Sequence, residues 1–252
     1  MSVRTTNDLY GRGIKTLLSA WEEYARGATD AAIHYLPGVA AAVFPQEPER
    51  SVYNNAVFVR DLTAAALAEA IATMQTAYAQ ARVTDYAAWV HESDLGMRTE
   101  LERRSYTVQE STRAMGMALT DLQVPRPQID VGRTDWVEYL RIIGVPPDLL
   151  AHADHTAFHV LIARLDGENA AAGMAFDADG DCGIYNVVTL EHARGRGLAT
   201  GLTALHLHPA LARGCQTASL QSTSMAERVY AGVGFRDLGL ILEYAPERRP
   251  SI

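Results

Sequence analysis

Thr189-Leu-Glu-His-Ala-Arg-Gly-Arg-Gly-Leu-Ala-Thr-Gly-Leu-Thr203 decides how this sequence is read. Gly195 and Gly197 stand between the β-branched run Val187-Val-Thr189 and an alanine- and leucine-rich segment, with Arg194 and Arg196 interleaved. The pattern predicts a strand that ends at Thr189 and a helix that begins near Gly197. A helix start leaves backbone N–H groups unpaired and carries partial positive charge, so it favours an anion. Glycines let the backbone curl and let a phosphate approach with no Cβ in the way. The arginines add charge and forked donors. The stretch reads as a phosphate cradle rather than a generic surface turn.

The kind of nucleotide is narrowed by what the stretch lacks. A dinucleotide fingerprint needs a third glycine, but Gly195-Arg-Gly197 runs on into Leu198, Ala199 and Thr200. The strand that follows ends at Gln221-Ser222, with no carboxylate for a ribose. No Gly-Lys-Ser/Thr is present, which excludes a Walker loop.

Working outward, Asp135–Ile143 has helical apolar spacing, and Ala157–Arg164 and Asn169–Phe176 read as strands about an Asp166-Gly167 turn. A second turn, Asp177–Asp181, leads to the strand Gly183–Thr189. After the glycines come a helix to about Ala212, the short strand Ala218–Gln221, a helix from Met225 to Val233 stopped by Gly234, and a strand Asp237–Tyr244. A helix between two strands implies a parallel crossover, so the sheet is expected to be mixed. The X-Pro steps of Val124-Pro-Arg-Pro-Gln128 favour extended backbone and mark a linker near the middle of the chain.

The first half reads as a repeat of the second. Placing Ala56 on Tyr185, a shift of 129 residues, sets Ala56–Val59 on Tyr185–Val188, and sets Thr63–Arg82 on the helix after the glycines. It also sets Ala88–Ser93 on Thr217–Ser222 and Leu101–Tyr106 on Tyr230–Phe235. Arg194–Ala199 then falls on Ala65–Ala70, which has no glycine and no arginine but carries Glu69. A phosphate site kept in one copy accounts for that difference, and the earlier copy reads as degenerate.

Composition bounds the partners. The 252 residues carry a net charge of −8, with 48% hydrophobic and 21% charged residues. An acidic chain lacks the basic footprint that nucleic acid or an anionic membrane requires. Cys182 and Cys215 make neither a disulfide framework nor a metal quartet. No signal-like apolar run opens the sequence, and the cytoplasm is the expected location.

Arg194-Gly-Arg-Gly-Leu-Ala199, followed by Tyr230-Ala-Gly-Val-Gly-Phe235, resembles the GCN5-related N-acetyltransferase (GNAT) family. Arg194, Gly197 and Ala199 fit its cofactor loop, and Tyr230, Gly234 and Phe235 fit its later signature. The resemblance spans about residues 130 to 246. Thr223 departs from it where the family often has asparagine, and Glu191 where it often has proline. The resemblance implies an α/β fold with a mixed central sheet of the acyl-CoA N-acyltransferase type, in two GNAT-like lobes. Residues 1–123 form the degenerate lobe and residues 124–252 the acetyl-CoA-binding catalytic lobe. It further implies acetyl-CoA as cofactor, with its pyrophosphate on the amides of Arg194, Gly195, Arg196, Gly197, Leu198, Ala199 and Thr200. The pantetheine arm would pair with Val187, Val188 and Thr189 like an added strand, and Thr223 would border the site.

Acetyl transfer to an amine needs a neutral nucleophile, a donor for the oxyanion and a proton for the departing thiolate. Tyr230 is the candidate acid, since a phenol with a pKa of about 10 is protonated near neutrality. Leu101, its counterpart under the repeat, has no such proton. Glu191 is the first choice of base, followed by His192, Glu243 and Asp177, and a water chain serves as well. The expected partner is a primary amine of a small molecule or peptide, with a homodimer as candidate assembly. An acyl-CoA-binding sensor without turnover, or a nucleotide-binding module, are the alternatives. His152-Ala-Asp-His155 has no further ligand beside it and reads as a surface loop.

Overall fold

A computed structural model of the protein describes residues 5–49, 53–132, 135–145 and 152–247. The fold is mixed α/β with an open sheet. In chain order the elements are α1 (Thr6–Arg26), β1 (Ala32–Leu36), β2 (Val39–Val43), β3 (Asn55–Phe58), α2 (Ala64–Gln80), β4 (Ala87–His91), α3 (Leu95–Arg103) and β5 (Tyr106–Ala118). They continue with α4 (Trp136–Ile143), β6 (His159–Leu165), β7 (Glu168–Ala178), β8 (Asp181–Thr189), α5 (Leu198–Ala212), β9 (Thr217–Ser222), α6 (Glu227–Val233) and β10 (Arg236–Pro246). Among the described residues, no helix is long and apolar enough to cross a membrane.

The chain divides into two compact, discontinuous units. The first comprises Met1–Glu23 and Arg113–Leu238, the second Tyr24–Thr112 and Gly239–Ile252. This differs from a cut at 123/124. The proline-spaced stretch is irregular, as its X-Pro steps require, but it lies inside the first unit. Its apolar neighbours fix it there: Val124 packs into a core cluster, and the Val124 carbonyl accepts a hydrogen bond from His208 Nε2 at 3.0 Å if that nitrogen bears the proton. Ile129 lies so close to Gly201 of α5 that a Cβ there would meet Ile129 Cδ1 at 2.1 Å.

In the first unit the strand order is β5-β9-β8-β7-β6. β6, β7 and β8 are antiparallel neighbours. The hairpin turns Asp166-Gly167 and Asp179-Gly180 hold positive φ at both positions, as the twist of a two-residue hairpin favours. β8 and β9 are parallel with α5 as crossover, and β5 from Arg113 on runs antiparallel to β9. α5 packs on β7, β8 and α6, burying Leu207 and Ala210 with Ile184, Leu220 and Val233. The β7–β8 turn is braced from α1, where Arg12 Nη2 donates to the Asp179 carbonyl at 2.8 Å and Nε to Thr217 Oγ1 at 2.9 Å. Buried Asp181 accepts from Thr217 Oγ1 at 2.6 Å and Ser219 Oγ at 2.7 Å, so this polar cluster is satisfied.

In the second unit the order is β1-β2-β3-β4-β10. β3 and β4 are parallel with α2 as crossover, and the other neighbours are antiparallel. The core gathers Phe58, Ile71, Met74, Val90, Leu101 and Tyr244. Strand order and direction therefore repeat from one unit to the other. Connectivity does not follow the repeat at its last step. β5 follows α3 in the chain yet pairs with β9, and β10 follows α6 yet pairs with β4.

Candidate functional site

The site is built where β8 leaves β9. The parallel pairing runs from Asp181↔Thr217 to Ile184↔Leu220 and stops there, although β8 continues to Thr189 and β9 to Ser222. β7 still holds the far end of β8 through Ala172↔Val188 and Ala171↔Thr189. Between these pairs and Met174↔Tyr185 the register shifts, so that Asn186 and Val187 oppose Gly173 alone. Asn186 takes φ 52, the left-handed conformation that asparagine tolerates better than most residues. A bulge of this kind bends its strand and raises the local twist, which turns Val187, Val188 and Thr189 away from β9. Strand edges that separate this way expose backbone groups on their facing sides.

Beyond Thr189 the chain makes a short 3-10 turn, Glu191–Ala193, then the loop Arg194–Gly197, then α5. Gly195 and Gly197 have φ 76 and 74, and a Cβ at either would meet nothing within 4 Å. Backbone conformation, not crowding, therefore demands glycine there. Arg194 Nε donates to the Thr189 carbonyl at 3.4 Å. Gly197 caps α5 without a side-chain hydrogen bond, and the first intrahelical bond is Gly201 N–H to the Gly197 carbonyl at 2.9 Å. The amides of Leu198, Ala199 and Thr200 thus open the helix with no side chain across them. Arg194 to Gly197 are exposed, while Leu198 is anchored in an apolar cluster with Ala170, Ala171 and Ala193. In the second unit, the helix after β3 starts differently. Thr63 Oγ1 accepts from the Ala66 amide at 3.4 Å, so the chain's own side chain fills that helix end.

Tyr230 lies in α6 and is 7% exposed. It meets the Phe235 ring edge-on at a centroid distance of 6.1 Å. Gly234, at φ 125, is pressed so close to the Asp121 carbonyl that a Cβ would lie 2.7 Å from it. The Tyr-x-x-x-Gly-Phe sequence is therefore a packing unit: it ends α6, turns the chain and seats the tyrosine ring. Burial pushes the Tyr230 phenol up to about 12. A phenol raised this far stays protonated at any physiological pH, but it gives its proton up less readily than free tyrosine.

The base candidates separate clearly. Glu191 and His192 are exposed in the 3-10 turn that follows β8. Thr223 is exposed after β9, and its carbonyl accepts from Ser222 Oγ at 2.8 Å and from the Ala226 amide at 3.0 Å. Asp177 is engaged elsewhere. It pairs across the sheet with Cys182, two residues along β7 from the Ala175↔Ile184 pair where β8 leaves β9, and its carboxylate is held by Arg213 and His159. Burial acts to raise its carboxyl, but hydrogen bonds from His159 and Arg213 outweigh this and hold it well below the usual range; Arg213 Nε is 2.5 Å away. Glu243 belongs to the second unit. There it lines a cavity of about 570 Å³ with Glu110 and Trp89, and burial followed by the Glu110 charge pushes it to about 7. His155 stacks on Trp136, and Asp154 caps the turn before β6.

Sequence reasoning did not anticipate the Gly173–Asn186 bulge. Its signal was present, since an isolated glycine within a strand pattern marks a bulge or close approach.

Comparison with known proteins adds a likeness over part of the chain. Residues 117–235 match the acetyltransferase (GNAT) family. The match takes in the splayed strands, the cradle loop and Tyr230, and covers a little under half of the chain. Three GNAT structures show that the fold extends well beyond it. A GCN5-related N-acetyltransferase from Kribbella flavida superposes with a TM-score of 0.70 at 18% identity, over 94% of this chain and 96% of that one. One from Sphaerobacter thermophilus gives 0.62 at 17%, over 97% and 95%. A GNAT acetyltransferase from Colwellia psychrerythraea gives 0.56 at 13%, over 98% and 99%. No curated protein matches the sequence.

Proposed function

We propose that this chain is an N-acetyltransferase that moves an acetyl group from acetyl-CoA to a primary amine of a small molecule or peptide. The observation that carries the reading is the end of β8–β9 pairing at Ile184↔Leu220, directly before a loop whose two left-handed glycines open an uncapped helix. A splayed strand offers amides and carbonyls to an extended, amide-bearing arm. The helix start offers N–H groups to a diphosphate, with Arg194 and Arg196 beside it. Acetyl-CoA combines both chemistries in one molecule. The residues present fit it: Val187, Val188 and Thr189 would line the arm, and the amides from Arg194 to Thr200 would hold the pyrophosphate. Acetyl-CoA supplies the activated thioester.

The amine attacks directly within a ternary complex, and Tyr230 donates to the departing sulfur. Glu191, with His192 beside it, stands first among the residues that take up the amine proton through solvent. Their exposure is the one observation that favours a sensor that binds without turnover. The second unit is read as a degenerate copy. In support, it has the same strand order, Thr63 across its helix start and Leu101 at the position matching Tyr230. The protein is placed in the cytoplasm, with no nucleic acid or membrane partner and a homodimer as candidate assembly.

The test has two arms. Calorimetric titration with coenzyme A, acetyl-CoA, NAD and ATP should show binding of the first two alone. Thiol release across a panel of amines should then identify acceptors. Binding of NAD in place of coenzyme A would overturn the reading, and coenzyme A binding with no thiol release on any amine would leave the sensor.

A further inference from the structure

His206 is the one histidine of α5 that turns wholly inward. It is 2% exposed, and its Nε2 finds no hydrogen-bond partner of acceptable geometry. A buried polar atom left in this state calls for an explanation, and its surroundings supply one. The imidazole faces Gly173, the residue that stands alone against Asn186 and Val187 in the bulge. A Cβ built on Gly173 would lie 3.6 Å from His206 Nε2 and 3.3 Å from Val187 Cγ2. The space above Gly173 is thus shared by two side chains, one from the helix and one from the strand that leaves the sheet.

We propose that His206 is a positioning residue for the coenzyme arm, its ring seated against Gly173 so that Val187 and the residues after it stay turned away from β9. The bulge interrupts the β7–β8 ladder at this point, and the imidazole brings a polar edge to the interrupted backbone from within the core. Leucine fills a similar volume with no such edge and lets the strand relax toward regular pairing. Regular pairing closes the opening between β8 and β9 but leaves the α5 helix start untouched.

The inference rests on the acetyl-CoA reading, and its test separates the two. Calorimetric affinities are measured for coenzyme A and for phosphoadenosine diphosphate, the same molecule without its pantetheine arm. In the His206→Leu protein, coenzyme A should bind about tenfold or more weakly, while the armless fragment keeps its wild-type affinity within about twofold. His206→Asn, which restores a polar edge, should recover part of the loss. Gly173→Ala, whose Cβ enters the space shared by His206 Nε2 and Val187 Cγ2 and so unseats the ring, should show the same arm-specific loss and stands in if His206→Leu does not fold. Equal weakening of both ligands would make His206 merely structural and overturn the inference. Unchanged coenzyme A affinity would overturn it as well. Wild-type protein that binds neither ligand overturns the acetyl-CoA reading and the inference with it.

Discussion

Arg194 Nε donates to the carbonyl oxygen of Thr189, 3.4 Å away, and so ties the cradle loop back to the end of the strand that precedes it. One side chain thereby serves two ends, fixing the loop and bringing positive charge to the helix start. Arg194→Ala should lower coenzyme A affinity about ten- to a hundredfold, since charged hydrogen bonds contribute on the order of 1.5–3 kcal/mol. Unliganded stability should move by no more than about 0.5 kcal/mol, because the residue is exposed. Lysine keeps the charge but not the fork, and should recover only part of the affinity. Calorimetry at low and high salt checks this. An affinity indifferent to both salt and substitution would take Arg194 out of the site.

Gly197 supplies a sharper discrimination between cradle and turn. Aspartate tolerates left-handed φ better than most residues, and its carboxylate is a good helix cap. Gly197→Asp should therefore keep the fold, with melting shifted by a few degrees in either direction, while its carboxylate occupies the amides meant for phosphate. Coenzyme A affinity should fall about a hundredfold through blockade and like-charge repulsion. A surface turn with no ligand would register the stability change alone.

Tyr230→Phe removes a hydroxyl from a ring whose packing against Phe235 is retained. Turnover should drop by about two to three orders of magnitude if the phenol assists the leaving thiolate, with coenzyme A affinity unchanged. The pH profile adds a second check. Burial holds the folded phenol at about 12, against about 10 in the unfolded chain. Between those values the unfolded state loses its proton first, so stability falls as pH rises through that window, by about 3 kcal/mol at most. Tyr230→Phe should flatten this fall, as measured by urea unfolding on the alkaline side. Full turnover in Tyr230→Phe would remove the phenol from the mechanism.

Much of this fold was legible because the first unit follows simple periodicities. Asp135 caps α4 through its bond to the Glu138 amide, and the strands from β6 to β10 lie within a few residues of where alternation and turn signals put them. The loop Arg194–Gly197 was legible because both its glycines are demanded locally, by backbone conformation. Other parts depend on contacts that sequence spacing does not encode. β2 is buried at all five positions and has no alternation to read. The division into units escaped because Val124 and Ile129 anchor a segment that looks like a linker. The bulge depends on Gly173 meeting Val187 and His206, residues brought together only by the fold.

His206 provides a stability test independent of any ligand. Burial lowers its imidazole to about 3, whereas the unfolded chain protonates this ring near 6.5. Above about 6.5 neither state carries the proton, and His206 adds no pH dependence. Below it the unfolded chain takes up a proton that the folded one refuses, so stability falls as pH falls, by about 1.4 kcal/mol per unit once well below that pKa. The fall continues toward about 3, where the folded state also protonates. Asp177 and other carboxylates held below their usual range contribute their own loss only under more acid conditions, which leaves roughly pH 6.5 to 4.5 for the histidine. Glu243, raised to about 7 by burial and the Glu110 charge, takes up its proton in the same window, so the informative quantity is the difference between wild type and His206→Leu. Urea unfolding of both proteins across that window should show the wild type losing about 2–3 kcal/mol more than the variant. Parallel profiles would mean that the imidazole is not held neutral against the bulge, and that the ring over Gly173 is open to water.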